Sequence, residues 1–106
     1  MLSMNLHERS KVVGGKKVIE RVLAVCDSDL LGKVFEEGDF VIDLKKSKNF
    51  YEGKIAEVEE IALVLRQCDS ANFVGRESVE CAKRVLGGKA SAVSIAGIPH
   101  LQVYKL

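Results

Sequence analysis

The central part of the chain most constrains the fold, because it contains two amphipathic helical patterns separated by a short link. Val58, Ile61 and Leu65 recur at the i, i+3 and i+7 positions that lie on one face of an α-helix. A second pattern with the same period covers residues 77–86 and ends at a pair of glycines, which favour a helix end. We therefore predict two helices, each with one apolar face, joined by a packed corner over residues 69–75.

The corner between the two helices has two interpretations. Phe73 and Val74 are apolar and precede Gly75, which favours a corner that packs into the core. A turn with a hydrophobic residue and a glycine between two helices is also similar to a helix-hairpin-helix DNA-binding element. Because the second glycine usual in that turn is absent, we prefer the structural corner.

The N-terminal part of the chain has the pattern of a β-hairpin. Leu2, Met4 and Leu6 alternate as in a half-buried strand, and Gly14-Gly15 is a two-residue hairpin signal. With the two glycines as the loop, charged and apolar residues pair with suitable partners: Glu8 with Arg21, Arg9 with Glu20, Leu6 with Leu23, and Met4 with Val25. We predict this register, with a tip at residues 10–18 that protrudes beyond the apolar pairs.

The remaining segments complete a mixed fold. Asp27 or Ser28 is a candidate cap for one helical turn. Residues 40–44 and 50–55 are predicted strands, and residues 90–95 and 101–105 are predicted to form a second hairpin around a turn at residues 97–100. We predict one domain over residues 1–106, of the α+β class. Its architecture would be a two-layer sandwich, with a mostly antiparallel sheet and two main α-helices packed on one face.

Composition excludes several classes of protein. Hydrophobic residues make up 47% of the chain and the net charge is only +1, so bulk charge would not hold the protein on nucleic acid. Apolar runs are too short to span a membrane and no secretory leader is evident, which predicts a cytoplasmic protein. Cys26, Cys68 and Cys81 are isolated from one another and from the histidines. We therefore expect free buried thiols, with no metal site and no cofactor.

Several short motifs occur in a familiar order and spacing. They are Cys26-Asp27, Leu31-Gly32-Lys33, Glu37-Gly38, Phe50-Tyr51-Glu52-Gly53, Ala71-Asn72-Phe73-Val74-Gly75 and Gly97-Ile98-Pro99-His100-Leu101-Gln102. Together they resemble an archaeal family catalogued as domain of unknown function 424, over nearly the whole chain. The long tip of the first hairpin departs from that family's pattern. The resemblance implies an archaeal cytoplasmic protein with an α+β fold, and it implies no reaction.

A few polar residues stand in tight or apolar surroundings and define a candidate ligand site. They are Asn72, Arg76, His100, Gln102 and Asp27. In a shared cleft His100 would act as a base or hydrogen-bond donor, and Arg76 would bind an anion. The amides of Asn72 and Gln102 would form hydrogen bonds with a ligand. The alternative is that these side chains only satisfy loops, turns and the surface. No nucleophile motif or phosphate loop is present, so we assign no catalytic residue.

Basic loops beside an aromatic residue define a second candidate site, for nucleic acid. Its members are Lys16, Lys17, Lys45, Lys46, Lys48 and Tyr51. The alternative is that these lysines are simply solvated. Since no catalytic constellation is evident, we favour a non-enzymatic binding module for RNA or for a ribonucleoprotein or protein partner. The other hypotheses are a small-molecule-binding protein or enzyme that uses the polar cleft, and a domain that forms a homodimer through a sheet edge.

Overall fold

The computed structural model describes residues 1–87 and 90–104. Eight strands are β1 (Leu2–Val13), β2 (Lys16–Asp27), β3 (Val34–Glu37), β4 (Phe40–Asp43), β5 (Lys54–Ala56), β6 (Ser70–Val74), β7 (Val93–Ile95) and β8 (Ile98–Tyr104). Three helices are α1 (Lys48–Tyr51), α2 (Val58–Leu65) and α3 (Arg76–Leu86), and a single 3₁₀ turn covers Ser28–Leu30.

Six strands form one mixed sheet in the order β5-β1-β2-β6-β8-β7, and β3 and β4 form a separate two-stranded ribbon. Only the β2–β6 pair is parallel among the described strands. Helices α2 and α3 pack on one face of the sheet, which we call the helical face. The α+β prediction is confirmed, and so is the position of the two main helices.

The opposite face, which we call the ribbon face, has its own small core. Ala24, Cys26 and Val74 project from the sheet and meet Leu44 of the β4–α1 loop and Tyr51 of α1. This core is a partial third layer that the two-layer prediction did not include. It covers only one end of the ribbon face.

The first hairpin has the predicted register. Gly14 and Gly15 form its loop with positive φ angles of 57° and 79°, which favour glycine. All four predicted cross-strand pairs are present. Charge pairs on both faces and apolar pairs on one face together fix the register. A slip by one residue would move every apolar side chain to the other face.

The predicted corner at residues 69–75 is wrong, because this segment is the central strand β6. Ala71 and Phe73 are fully buried on the helical face, and the backbone pairs with β2 on one side and β8 on the other. Helix α2 accordingly ends at Leu65, earlier than predicted. A five-residue segment between helices with three apolar residues, Ala71, Phe73 and Val74, is compatible with a buried strand or a turn, and only the pairing partners decide.

The second hairpin turns one step earlier than predicted. Ala96 and Gly97 form the loop, so Ile95 pairs with Ile98 and His100 lies inside β8 rather than in a turn. Val93 in β7 is 66% exposed, so β7 is not a covered strand. Residues 50–55 contain the end of α1 and the start of β5 instead of one strand, and part of the predicted last strand lies outside the described residues.

No helix in the described part of the chain is both long and apolar enough to cross a membrane. The three cysteines are free and buried, as predicted. Burial raises the pKa of Cys26 to about 12, and it also raises the pKa of Cys68 and of Cys81. All three thiols are therefore protonated at neutral pH and shielded from reagents.

We expect none of the three thiols to react with Ellman's reagent in the native protein at about pH 8, since the thiolate is the nucleophile. The denatured chain provides the control, because all three cysteines should then react rapidly. A thiol that reacts in native buffer as fast as in denaturant would contradict the burial described here.

Candidate functional site

The ribbon face is organised in rungs of side chains that run across four neighbouring strands, β1, β2, β6 and β8. The first rung is Ser3, Cys26, Val74 and His100; the second is Asn5, Ala24, Asn72 and Gln102; the third is His7, Val22, Ser70 and Tyr104. Residues directly opposite in adjacent strands share a face, so each rung lies on one side of the sheet. The first rung lies under the ribbon core, and the third is open.

Helix α1 marks the boundary between the covered and open halves, and β1 holds it in place. The last carbonyl groups of a helix lack intrahelical partners. Ser3 Oγ donates to the carbonyl of Tyr51 at 3.0 Å, and Asn5 Nδ2 donates to two further carbonyls at 3.1 Å. His7 Nε2 lies 2.7 Å from the carbonyl oxygen of Phe50, and the two rings stack with centroids 4.6 Å apart. Three alternate residues of one strand thus fix the helix.

Beyond α1 the ribbon face carries an open groove formed by two adjoining clefts of about 490 and 660 Å³. Both clefts are lined by Arg9, Ser70 and Tyr104. The stacked His7 and Phe50 rings form the wall on the α1 side. The groove exists because the ribbon and α1 cover only part of a sheet face whose strands continue further.

The charge in the groove is balanced around one carboxylate. Glu20 accepts from Arg9 at 2.6 Å and from Lys11 at 2.7 Å. The hydrogen bonds from Lys11 and Arg9 lower the pKa of Glu20, so it stays ionised at neutral pH. Two cations therefore face one anion in this cluster, but Asp69 and Glu8 also line the clefts, so the groove has no net positive charge.

Polar groups on the floor of the groove are available to a ligand. Within the described residues, the amide of Asn72 and the hydroxyl of Ser70 have no hydrogen-bond partner in the protein, although both side chains are half-buried. The ring of Tyr104 is 70% exposed, and its hydroxyl donates to Gln102 Oε1 at 3.4 Å. The groove thus combines an exposed aromatic ring, free amide and hydroxyl groups, and the two cations Arg9 and Lys11.

The structure brings together only part of the predicted ligand site. Asn72 and Gln102 are direct cross-strand partners, and His100 is on the same face two residues away from Gln102. Arg76 is the first residue of α3 and is exposed beyond the end of β6, so it does not join them.

His100 faces a separate cavity of about 160 Å³ beneath the ribbon, which Tyr51 and Ser47 also line. Its Nε2 is buried without a hydrogen-bond partner in the described part of the protein. Burial lowers the pKa of His100, so the ring is neutral at pH 7. The cavity is small and α1 stands between it and the open groove, so His100 and Asn72 do not share a cleft.

Asp27, the fifth predicted ligand residue, is a structural cap. Its carboxylate accepts from the backbone N–H groups of Glu77 and Ser78 at 3.2 and 2.8 Å, and from Ser78 Oγ at 2.8 Å. It therefore satisfies the free N–H groups at the start of α3 from a distant strand. Gly75 has a φ of 109°, and a Cβ there would overlap this carboxylate. The predicted cap of the 3₁₀ turn by Asp27 or Ser28 is wrong, since neither side chain makes that bond.

The predicted nucleic-acid residues are dispersed. Lys16 and Lys17 lie at the hairpin tip, and Lys45, Lys46 and Lys48 lie between β4 and α1; all are exposed and none lines the open groove. Tyr51 is not an exposed aromatic platform, because its side chain is only 8% exposed in the ribbon core. Burial also raises the pKa of Tyr51 to about 12.

Sequence reasoning did not single out the groove residues His7, Arg9, Ser70 and Tyr104 as site residues. Arg9 and His7 alternate along β1, so the hairpin register alone would have placed them on one face. Ser70 and Tyr104 join them only through the pairing of β6 with β2 and β8. No group of three or more His, Cys, Asp or Glu side chains among residues 1–87 and 90–104 is arranged to hold a metal ion.

Comparison with known families assigns the chain. The family described as "Protein of unknown function (DUF424)" matches residues 18–106. The chain belongs to this family. The match begins at Val18, inside the first hairpin, so the hairpin tip that departs from the family pattern lies outside or at the edge of the matched region. Family membership confirms the resemblance seen in the sequence motifs.

Comparison with solved structures supports the fold. The structure is similar to an uncharacterized conserved protein from Methanopyrus kandleri, with a TM-score of 0.68 and 22% sequence identity. The similarity covers 98% of this chain and 93% of that chain. At this identity it shows a shared fold. No curated protein matches the chain.

Replacing Asp27 by Ala should lower the free energy of unfolding by about 2 kcal/mol, because three hydrogen bonds at a buried helix end are lost. Asp29→Ala is the matched control, since Asp29 is exposed, and should change it by less than about 0.5 kcal/mol. Urea denaturation measures both. Equal effects of the two substitutions would show that Asp27 does not cap α3.

The low pKa of His100 predicts a pH dependence of stability. In the unfolded chain His100 takes up a proton at about pH 6.5, whereas in the folded chain it does so only at lower pH. The free energy of unfolding should therefore fall as the pH is lowered from about 7.5 to about 5.5. His100→Gln should flatten this dependence, and the wild-type profile is the reference. Urea denaturation across this pH range gives the profiles, and superimposable profiles for wild type and His100→Gln would refute the assignment.

Proposed function

We propose that this protein is a binding module that holds single-stranded RNA in the open groove of the ribbon face. The observation that carries the proposal is the exposed ring of Tyr104 on a sheet face beside Arg9 and Lys11. Unstacked bases need a flat apolar surface, and their phosphates need nearby cations. Both are present in this groove.

Each component of a nucleotide has a matching group. A base stacks on Tyr104, and its polar edge reaches the free amide of Asn72, which can both donate and accept hydrogen bonds. The sugar-phosphate backbone of the RNA follows the side of the groove formed by Arg9 and Lys11, and these two side chains bind its phosphates. Ser70 lies between these groups on the third rung and offers its hydroxyl to the sugar or the phosphate.

Glu20 sets the strength of binding. In the free protein it holds Arg9 and Lys11 by charged hydrogen bonds, so a phosphate must compete with it. The carboxylate also repels the polyanion at short range. Binding is therefore moderate and depends on contacts in the groove rather than on the net charge of +1.

The proposal predicts a shallow salt dependence. Two phosphate contacts on a single strand give a slope of log K against log salt concentration of about −1.4. A much steeper slope would indicate that the exposed lysines outside the groove bind nucleic acid as a diffuse positive surface.

Tyr104→Ala should weaken binding to a short single-stranded RNA about tenfold, because a stacking contact is worth about 1–3 kcal/mol. Glu20→Gln should tighten binding, since it frees two cations and removes a repulsive charge. Fluorescence anisotropy with a labelled oligonucleotide measures both effects.

Matched controls exist elsewhere on the surface. Phe40 on β4 is an aromatic residue with 65% exposure outside the groove, and Glu36 on β3 is an exposed carboxylate. Phe40→Ala and Glu36→Gln should leave RNA affinity unchanged. The proposal fails if RNA binds no better than heparin, or if the Tyr104 and Phe40 substitutions have the same effect.

A further inference from the structure

The two ends of β1 carry surfaces of opposite character, and neither belongs to the open groove. At one end is the arm tip, defined as residues 12–17, which includes the hairpin loop. Val12 is 74% exposed and Val13 is also exposed. Lys16 and Lys17 project from the same tip, which contains no acidic residue, and within the described chain they form no ion pair.

At the other end is the acidic groove, a cleft of about 340 Å³ between the start of β1, β5 and helices α2 and α3. Its apolar lining includes Ile55 and Val58, and Ile55 is about half exposed. Its acidic lining is Glu57, Glu77 and Glu80; Glu77 bonds the N-terminal amine at 3.0 Å, and Arg84 adds one basic group. Glu57 and Glu80 form no ion pair among the described residues, so they are available to an external cation.

The arm tip also exposes backbone N–H and C=O groups along its strand edges. Strand β1 pairs with β5 only over Leu2–Met4, and β2 pairs with β6 only from Val22 onward. Beyond these points neither outer edge of the hairpin pairs with another strand among the described residues. Strand β5 is itself an edge strand, so it also has one free side. Open edges with β-branched apolar residues favour association with another strand.

Within one molecule the arm tip cannot contact the acidic groove. The arm tip and the acidic groove lie at opposite ends of a 12-residue strand, which is about 40 Å long, in a molecule whose longest extent is 43 Å. When two chains lie antiparallel about a two-fold axis, the arm tip of each is placed against the acidic groove of the other. Such a pairing closes and makes two identical contacts.

We infer that the partner of both surfaces is a second copy of the same chain. The arm tip of each copy docks in the acidic groove of the other, and the two copies form a two-fold dimer. Val12 would cover the exposed apolar lining at Ile55, and its cross-strand partner Lys17 lies on the same face of the arm. Lys16 and Lys17 would pair with Glu57 and Glu80. This interaction is independent of RNA binding, because Tyr104, Asn72 and Arg9 take no part in it.

Charge reversal on either side tests the contact. An arm variant, Lys16→Glu with Lys17→Glu, and a groove variant, Glu57→Lys with Glu80→Lys, should each have the mass of one chain by light scattering. The wild type should have the mass of two. An equimolar mixture of the two variants should again have the mass of two, because both contacts of the mixed dimer then join opposite charges.

The control is Lys45→Glu with Lys46→Glu, an adjacent pair of exposed lysines outside both surfaces. It should retain the wild-type mass, and circular dichroism should show all variants folded. The inference is overturned if the wild type has the mass of one chain up to millimolar concentration, if either charge-reversal variant stays dimeric, or if the mixture stays monomeric. A mass that keeps growing with concentration would overturn the closed two-fold arrangement.

Discussion

The fold depends on the parallel pairing of β2 with β6. Strand β2 is hydrogen-bonded on both sides over Val22–Cys26, to β1 and to β6, and residues 23–26 lie in the two cores. The pairing is extended at Arg21, whose N–H donates to Asp69 and whose carbonyl accepts from it. It joins a local hairpin to elements almost fifty residues later in the chain, and both helices pack against the sheet that results.

The same strand also positions α3. At the point where β2 ends, Asp27 turns its carboxylate to the first N–H groups of α3, and Gly75 leaves room for it. A buried carboxylate that accepts three hydrogen bonds is stable, whereas the same group without partners would carry a large desolvation cost. Sheet and helix are therefore tied at one corner, and Asp27 is unavailable for binding chemistry.

The open groove follows from incomplete coverage of the ribbon face. The ribbon and α1 are short, so they cover the first rung and leave the third only partly covered. Ser3, Asn5 and His7 set this limit, because their bonds to carbonyls of residues 49–52 fix where α1 stops. Side chains from four strands then share one surface, while the acidic groove and the arm tip occupy the ends of β1.

The sequence by itself determined the elements whose partners are close in the chain: the first hairpin with its register, the apolar faces of α2 and α3, and the motifs of the family. Their signals are local, through turn residues and side-chain periodicity. Only the tertiary structure decided that residues 70–74 are a central strand, that Asp27 caps α3, and that Asn72 faces a groove shared with Tyr104. These depend on contacts between residues far apart in the chain. A short, partly apolar segment or a lone carboxylate is compatible with several environments until such a contact selects one.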